Sequence, residues 1–441
     1  MHTPLIPPAQ PDWRARYAAR SRIVSCSLTS LCVVLIAPYA LAQFDVEAAT
    51  RAYVDGLTGE ELASSNRYFE GGYWLIAWSA LITALVDLFF LQSRLSKRLA
   101  DWARRVTDRT WLQPGLFALP YQILGFLLTA PWVIYTDFIR ERNYGLLSQT
   151  FGAWFGEQVI SIAVSLVLFS LFIMALFAVI RRAPRTWWLW GTGVATACLF
   201  ILIMLAPIFI APLFNDYEEM PPSPIRDRIV AMAEEHNVPA ERIYVFNQSK
   251  QHKRISANVS GIGPTIRVSL NDNLLERTTP EEIAAVMGHE LGHYVLGHTW
   301  RLFIGLSFLL GLALFLVARI APRLIDRNRD RWGVSDIADP AAAPVMSLLL
   351  TLIFFVATPA LNTLIRVNES EADLFGLNVA QEPDGFARVA MRLSEYRKIE
   401  PGPIEEILFF DHPAGITRVR MSMQWKLEHE QQPTEGLPSE Q

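Results

Sequence analysis

The stretch M-G-H-E-L-G-H-Y-V-L-G-H, residues 287–298, holds His289, Glu290 and His293 in the spacing H-E-x-x-H. On a helix turning about 100° per residue, histidines four apart lie about 40° apart on one face. Two neutral imidazoles so placed can hold one Zn²⁺, and the glutamate between them can take a proton from an attacking water. That is the chemistry of a metal-dependent hydrolase of amide bonds. A catalytic zinc takes three protein ligands and keeps one position open. The third is expected from R-V-N-E-S-E-A-D, residues 366–373. Glu369 and Asp373 share a helical face, so Glu369 can ligate while Asp373 accepts a hydrogen bond from a ligand imidazole. Arg366, one turn earlier, is expected to pair with either carboxylate. Glu371 is about 200° from Glu369 and should face away. His298 is about 140° around the helix from His293 and reads as a structural hydrogen-bonder rather than a ligand. Cys26, Cys32 and Cys198 all fall in apolar runs, so any metal, one zinc per chain, is held by histidine and carboxylate.

The elements that position these residues belong to a membrane protein. Of 441 residues, 51% are hydrophobic and only 19% charged, against roughly 25% charged in soluble domains. A net charge of −4 gives no reason to expect nucleic acid. The apolar excess is gathered into seven runs of spanning length, near 23–42, 73–92, 116–136, 158–180, 187–213, 302–322 and 343–364. The first follows Arg14, Arg16, Arg20 and Arg22 and ends in A-L-A. It reads as an uncleaved span, with a signal peptide as the alternative. Arginine is concentrated in the N-terminus and in segments 93–115, 181–186 and 319–342. Seven spans put all four on one side, which the positive-inside rule makes cytoplasmic. The insert 214–300 and the C-terminal region then face the periplasm of a bacterium. Four segments follow: 1–42, a membrane region 43–213, a metalloprotease domain 214–428 and a disordered tail 429–441.

Within the insert, residues 224–236 read as a helix capped by Ser223. R-I-Y-V-F and T-I-R-V-S-L (265–270) read as strands, the second an edge to which an extended peptide can add. Thr279 and Glu282 form an expected capping box, with Pro280 in the first turn of the metal helix. Lys250, His252, Lys253 and Arg254 read as a solvated basic loop.

H-E-L-G-H, then two spans, then E-S-E-A-D, resembles the CAAX prenyl endopeptidase family of membrane zinc metallopeptidases. I-A-P-L-F-N at 210–215, R-V-S-L-N-D-N-L-L at 267–275 and H-P-A-G-I-T-R at 412–418 extend the likeness. The resemblance implies zinc on His289, His293 and Glu369, with Glu290 as general base. It implies that Asp373 buttresses a ligand and that His412 and Arg418 line the site, donating to the oxyanion formed in the reaction. It also implies a mainly α, polytopic fold: a seven-helix bundle enclosing a water-filled chamber, with a zincin-type α+β protease domain. Where the family shows an Asn-Ala pair before its substrate strand, this chain reads I-S-A-N-V-S-G, with the substrate-binding candidate Asn258 displaced by two positions. Eukaryotic members face the cytosol, whereas loop charge here points the site the other way.

The reading is thus an integral-membrane zinc endopeptidase acting on peptides or proteins, among them lipidated or membrane-tethered ones. Its rivals are a broad quality-control protease of damaged membrane proteins and a non-catalytic membrane scaffold or chaperone. A structural zinc site has no use for Glu290 as a base. A transporter would need paired charges within the spans, and Asp87 stands alone.

Overall fold

A computed structural model of the chain describes residues 44–261 and 266–430. The span expected at 23–42 and residues 431–441 of the tail lie outside them. A short helix, α1 (Val46–Val54), precedes α2 (Gly59–Gln92), which starts at a capping box of Thr58 and Glu61. Then come α3 (Leu95–Val106), α4 (Gln113–Val133, continuing through a π turn at Ile134–Arg140 to Asn143), α5 (Phe151–Arg182) and α6 (Trp187–Leu205, continuing to Leu213).

The insert forms β1 (Tyr217–Glu219), α7 (Pro224–Glu235), β2 (Ile243–Phe246), β3 (Ala257–Ser260), β4 (Arg267–Asn271) and α8 (Asp272–Arg277). Ser223 caps α7 as expected. The sheet order is β1-β2-β4-β3, with β2 and β4 parallel and the outer pairs antiparallel. The expected edge at 265–270 is therefore interior. β4 is too apolar to be left at an edge, with Val268 and Leu270 fully buried. The edge on that side falls to the more polar Ala257–Ser260, and β1 forms the other.

The metal helix α9 (Pro280–Val295) begins at the expected box, Thr279 N–H donating to Glu282 at 2.9 Å. Gly297, at φ 67°, turns the chain directly into α10 (His298–Trp332). α11 (Ala343–Ala380) carries the E-S-E-A-D segment. It is followed by α12 (Pro383–Arg392), α13 (Pro403–Phe409) and α14 (Gly415–Glu430). His429 and Glu430 thus end a helix rather than begin a tail.

Among the described residues six helices, not seven, are long and apolar enough to cross a membrane: α2, α4, α5, α6, α10 and α11. They neighbour one another in a closed ring, in that order, with α11 returning to α2. At one end all six feed a single buried cluster that includes Leu91, Phe117, Phe177, Trp187, Val317 and Val345. Of the arginine-rich segments, those at 93–115, 181–186 and 319–342 meet at that end. Arg104 pairs with Asp339 at 3.2 Å, and Arg181 Nε donates to the Ala338 carbonyl at 3.3 Å.

The opposite end docks on the sheet. Ser148 N–H donates to the Gln251 carbonyl at 2.9 Å. Arg254, expected in solvent, instead pairs with Glu141 and donates to the Tyr68 hydroxyl at 2.8 Å. Glu141 sits at the end of a membrane helix and needs a counter-charge, which this loop supplies.

Candidate active site

Two helices make the site, and small residues let them touch. One face of α9 (Ile283, Ala284, Met287, Leu291) packs into the core over the sheet and α7. The next face meets α11. A Cβ on Gly376 would lie 2.7 Å from the His289 backbone nitrogen, and one on Gly288 would lie 2.8 Å from the Gly376 carbonyl oxygen. A Cβ on Gly292 would lie 3.2 Å from the Ala372 Cα. Gly288, Gly292, Ala372 and Gly376 therefore bring two backbones together, the small-xxx-small contact familiar from membrane helices. This brings His289 and His293 up against Glu369.

His289 Nε2 and His293 Nε2 are 3.0 Å apart; Glu369 oxygens lie 3.3 Å from the first and 3.5 Å from the second. A tetrahedral zinc with bonds of about 2.0–2.1 Å wants ligand atoms about 3.3–3.4 Å apart. Glu369 Oε2 is buried and in hydrogen-bond geometry with nothing, although imidazole nitrogens approach it. The donor set and the orphaned oxygen both fit a metal cation.

Each imidazole is backed from behind. Asp373, fully buried, accepts from His289 Nδ1 at 2.8 Å and is itself held by Arg418 Nε at 2.9 Å. His293 Nδ1 faces His298 Nδ1 at 3.0 Å; His298 Nε2 reaches Glu371 at 3.3 Å; and Arg301 donates to Glu371 at 2.8 Å. His298 is thus a hydrogen-bonder rather than a ligand, as expected. Glu371 faces away from Glu369, also as expected, but ends a second relay that parallels the first. The G-H dipeptide at 297–298 is its visible signal in the sequence.

Two expectations are corrected. Arg366 pairs with neither carboxylate. It donates to the carbonyls of Glu406 at 2.8 Å and Phe410 at 2.5 Å, satisfying groups at the C-terminus of α13. That anchors the loop bearing His412, which α2 also grips through Phe69 on Phe410 and Tyr73 on Phe409. Asn258 sits on β3 opposite Ser269, but Ser256 and Ala257 line the cleft in its place. Alternation along β3 turns Asn258 to the face opposite Ala257, and Ser256 precedes the strand.

The cleft encloses about 160 Å³ between the N-terminal end of β3, α9, α12 and the His412 loop, with Glu290, His412 and Arg418 among its lining. Among the described residues the Glu290 carboxylate has no hydrogen-bond partner. Burial pushes it up to about 7, with His289 opposing and Glu369 reinforcing the shift. Such a group is suited to accept and return protons near neutrality. His412 Nδ1 pairs with Asp411 at 2.8 Å, and its Nε2 is 3.2 Å from Glu369. Arg418 spends two N–H groups on Asp373, so it positions a ligand's partner.

The histidines are unlike one another. Burial lowers His289, but its hydrogen bond to Asp373 and the nearby Glu369 carboxylate together outweigh this and raise it to about 10. Burial, then the neighbouring His289, pulls His293 down to about 4. At neutral pH the metal-free site holds a proton on His289, and ligation through Nε2 must release it. Metal affinity should therefore fall about tenfold for each unit the pH drops between 9 and 7, with about one proton released per metal. Calorimetric titration of metal-free protein in buffers of differing ionisation enthalpy reads both; a pH-independent affinity would contradict the assignment.

Comparison with known proteins matches both halves of the chain. Residues 222–426 match the model of peptidase family M48, and residues 46–216 match the model described as CAAX prenyl protease N-terminal, five membrane helices. The chain is 28% identical over 367 residues to a Bacillus subtilis protein named as an uncharacterized metalloprotease, YhfN, covering 82% of this chain and 85% of that one. It is 23% identical to the human CAAX prenyl protease 1 homolog over 74% of this chain and 77% of the relative. The crystal structure of S. mikatae Ste24p shares the fold with a TM-score of 0.71 at 18% identity, covering 85% of this chain and 94% of the other. With its membrane half, its catalytic half and its fold all matched, the chain belongs to peptidase family M48 and is a multi-pass membrane metalloendopeptidase.

Proposed function

We propose that the metal is a single zinc held by His289, His293 and Glu369, and that Glu290 is the general base of peptide-bond hydrolysis. The observation that carries this is the convergence of His289 Nε2, His293 Nε2 and the Glu369 carboxylate, with spacings of 3.0, 3.3 and 3.5 Å, beside an unpartnered carboxylate. Zinc bound there supplies a Lewis acid that lowers the pKa of a water and polarises the scissile carbonyl. Glu290 takes the proton of the attacking water and returns it to the leaving amine. His412, oriented by Asp411, offers Nε2–H to the oxyanion when protonated. Asp373 and His298 fix the tautomers that leave each ligand's Nε2 free to bind.

We further place the enzyme in a bacterial inner membrane with its site periplasmic, because the three described arginine-rich segments gather at the far end of the ring. The substrates we favour are lipidated or membrane-tethered peptides. A second, mostly apolar cavity of about 510 Å³ lies beside His293, walled by Phe200, Met204, Trp300 and Phe303. Those side chains come from two spanning helices, so the cavity adjoins the bilayer.

Detergent-purified protein should hold about one zinc per chain and cleave an unfolded protein, and a chelator should stop cleavage until zinc is restored. A folded protein that cleaves equally well without metal would overturn the reading.

A further inference from the structure

The cleft holds one guanidinium that no carboxylate among the described residues pairs with directly. Glu369 faces imidazoles, His412 pairs with Asp411, and Arg418 is bound to Asp373. Arg397, which lines the same cleft, is different. Its Nη1 is buried with no hydrogen-bond partner, and no carboxylate of the described residues lies within 4.0 Å of its guanidinium. Burial pulls it below the ordinary guanidinium value; Arg418 adds to this, while Tyr396 and the more distant Asp411 and Glu369 partly oppose it. The residue is not loosely held. Its carbonyl accepts from Ser65 on α2 at 2.7 Å, and it follows Tyr396, whose ring also lines the cleft. A buried guanidinium N–H with no acceptor and no paired carboxylate is costly, and the planar fork of the group matches a carboxylate.

Two features fix which part of a substrate passes Arg397. Glu290 gives its proton to the leaving amine, so the amine-side fragment lies where Glu290 and Arg397 share the cleft. The edge strand agrees. A peptide adding to β3 in the more stable antiparallel sense runs from the Ser260 end towards the Ala257 end. Its C-terminal part then lies beside Ser256 and Ala257, in the cleft with Arg397. The Val259–Ser260 end, with His293, opens on the other cavity.

We propose that Arg397 is a specificity-determining residue that receives a carboxylate on the leaving-amine side of the scissile bond. This rests on the peptidase reading above. The carboxylate belongs either to the substrate's own C-terminus or to an Asp or Glu side chain there.

The test is binding of labelled peptides to zinc-loaded Glu290→Gln protein, which separates recognition from cleavage. One peptide pair differs only in a C-terminal acid or amide. A second pair, amidated, differs in Glu or Gln at successive positions after the cleaved bond. In one of the two pairs the charged member should bind about 10–100-fold more tightly, as a charge-assisted bidentate contact implies. Adding Arg397→Gln should collapse that ratio to near one, and Arg397→Lys should leave it in between. The pair that discriminates names the source of the carboxylate. Equal binding within both pairs, or a ratio that survives Arg397→Gln, overturns the proposal. Zinc content and melting temperature are measured for every variant; if Arg397→Gln does not fold, a full ratio in Arg397→Lys overturns it instead. Cleavage of the same peptides by protein retaining Glu290 is scored separately. Failure there with an Arg397-dependent ratio intact would remove the peptidase reading and leave the carboxylate site.

Discussion

Glu290→Gln should keep its zinc and lose peptide hydrolysis by about 10²–10⁴-fold. The upper end is expected because one carboxylate serves twice, first taking a proton from the attacking water and then returning it to the amine. At about 1.36 kcal/mol per decade, a 10⁴-fold loss is about 5.5 kcal/mol of barrier. Zinc should stay because the three atoms that converge belong to His289, His293 and Glu369, and Glu290 is not among them. Glutamine is nearly isosteric with the glutamate it replaces, so the fold has no reason to change. Metal content, melting temperature and cleavage rate on one preparation decide the matter. Zinc lost together with activity would move Glu290 into the ligand set. Near-normal cleavage would pass the base role to another group, of which His412 is the nearest candidate.

The second large effect is expected far from any reacting atom. Gly376→Ala should weaken zinc binding by about 10–100-fold, as loss of a ligand's support does. It should also cost about 1–3 kcal/mol of stability, as overpacking does. The new methyl would sit 2.7 Å from the His289 nitrogen and 3.0 Å from its Cα, and backbone cannot rotate out of the way. α9 and α11 must part, and with them the imidazoles and Glu369. Gly402→Ala is the control, since nothing lies within 4 Å of a Cβ there. Zinc release to a chromophoric chelator would report the affinity. A Gly376→Ala protein that releases zinc at the wild-type rate would show that convergence is set elsewhere.

Much of this site is written in short, local patterns. H-E-x-x-H, E-S-E-A-D and the Thr279–Glu282 box each depend on spacing along a single helix, and helical spacing survives folding. The six described spans are legible for the same reason, being long and self-contained. What escapes the sequence depends on meetings between distant segments. Arg366 finds carbonyls about forty residues away, Arg254 finds Glu141, and Arg397 stands apart only because no acid of the described residues pairs with it. The edge strand is misplaced in the sequence reading because β4 is the more apolar run, and in a four-stranded sheet apolarity marks the interior. The glycines at 288 and 292 are in plain view as G-x-x-x-G; their meaning needs Gly376 opposite them.

The packed end of the helix ring has a consequence for traffic. Six helices contribute to one continuous buried cluster beneath the arginine-rich segments, so no polypeptide can be drawn through the bundle and out of the other side. Whatever is cut arrives and departs at the same face, or slips sideways between helices. On the peptidase reading, a ring closed in this way should favour trimming an end or a loop that reaches the site, with both pieces returned to the side they came from.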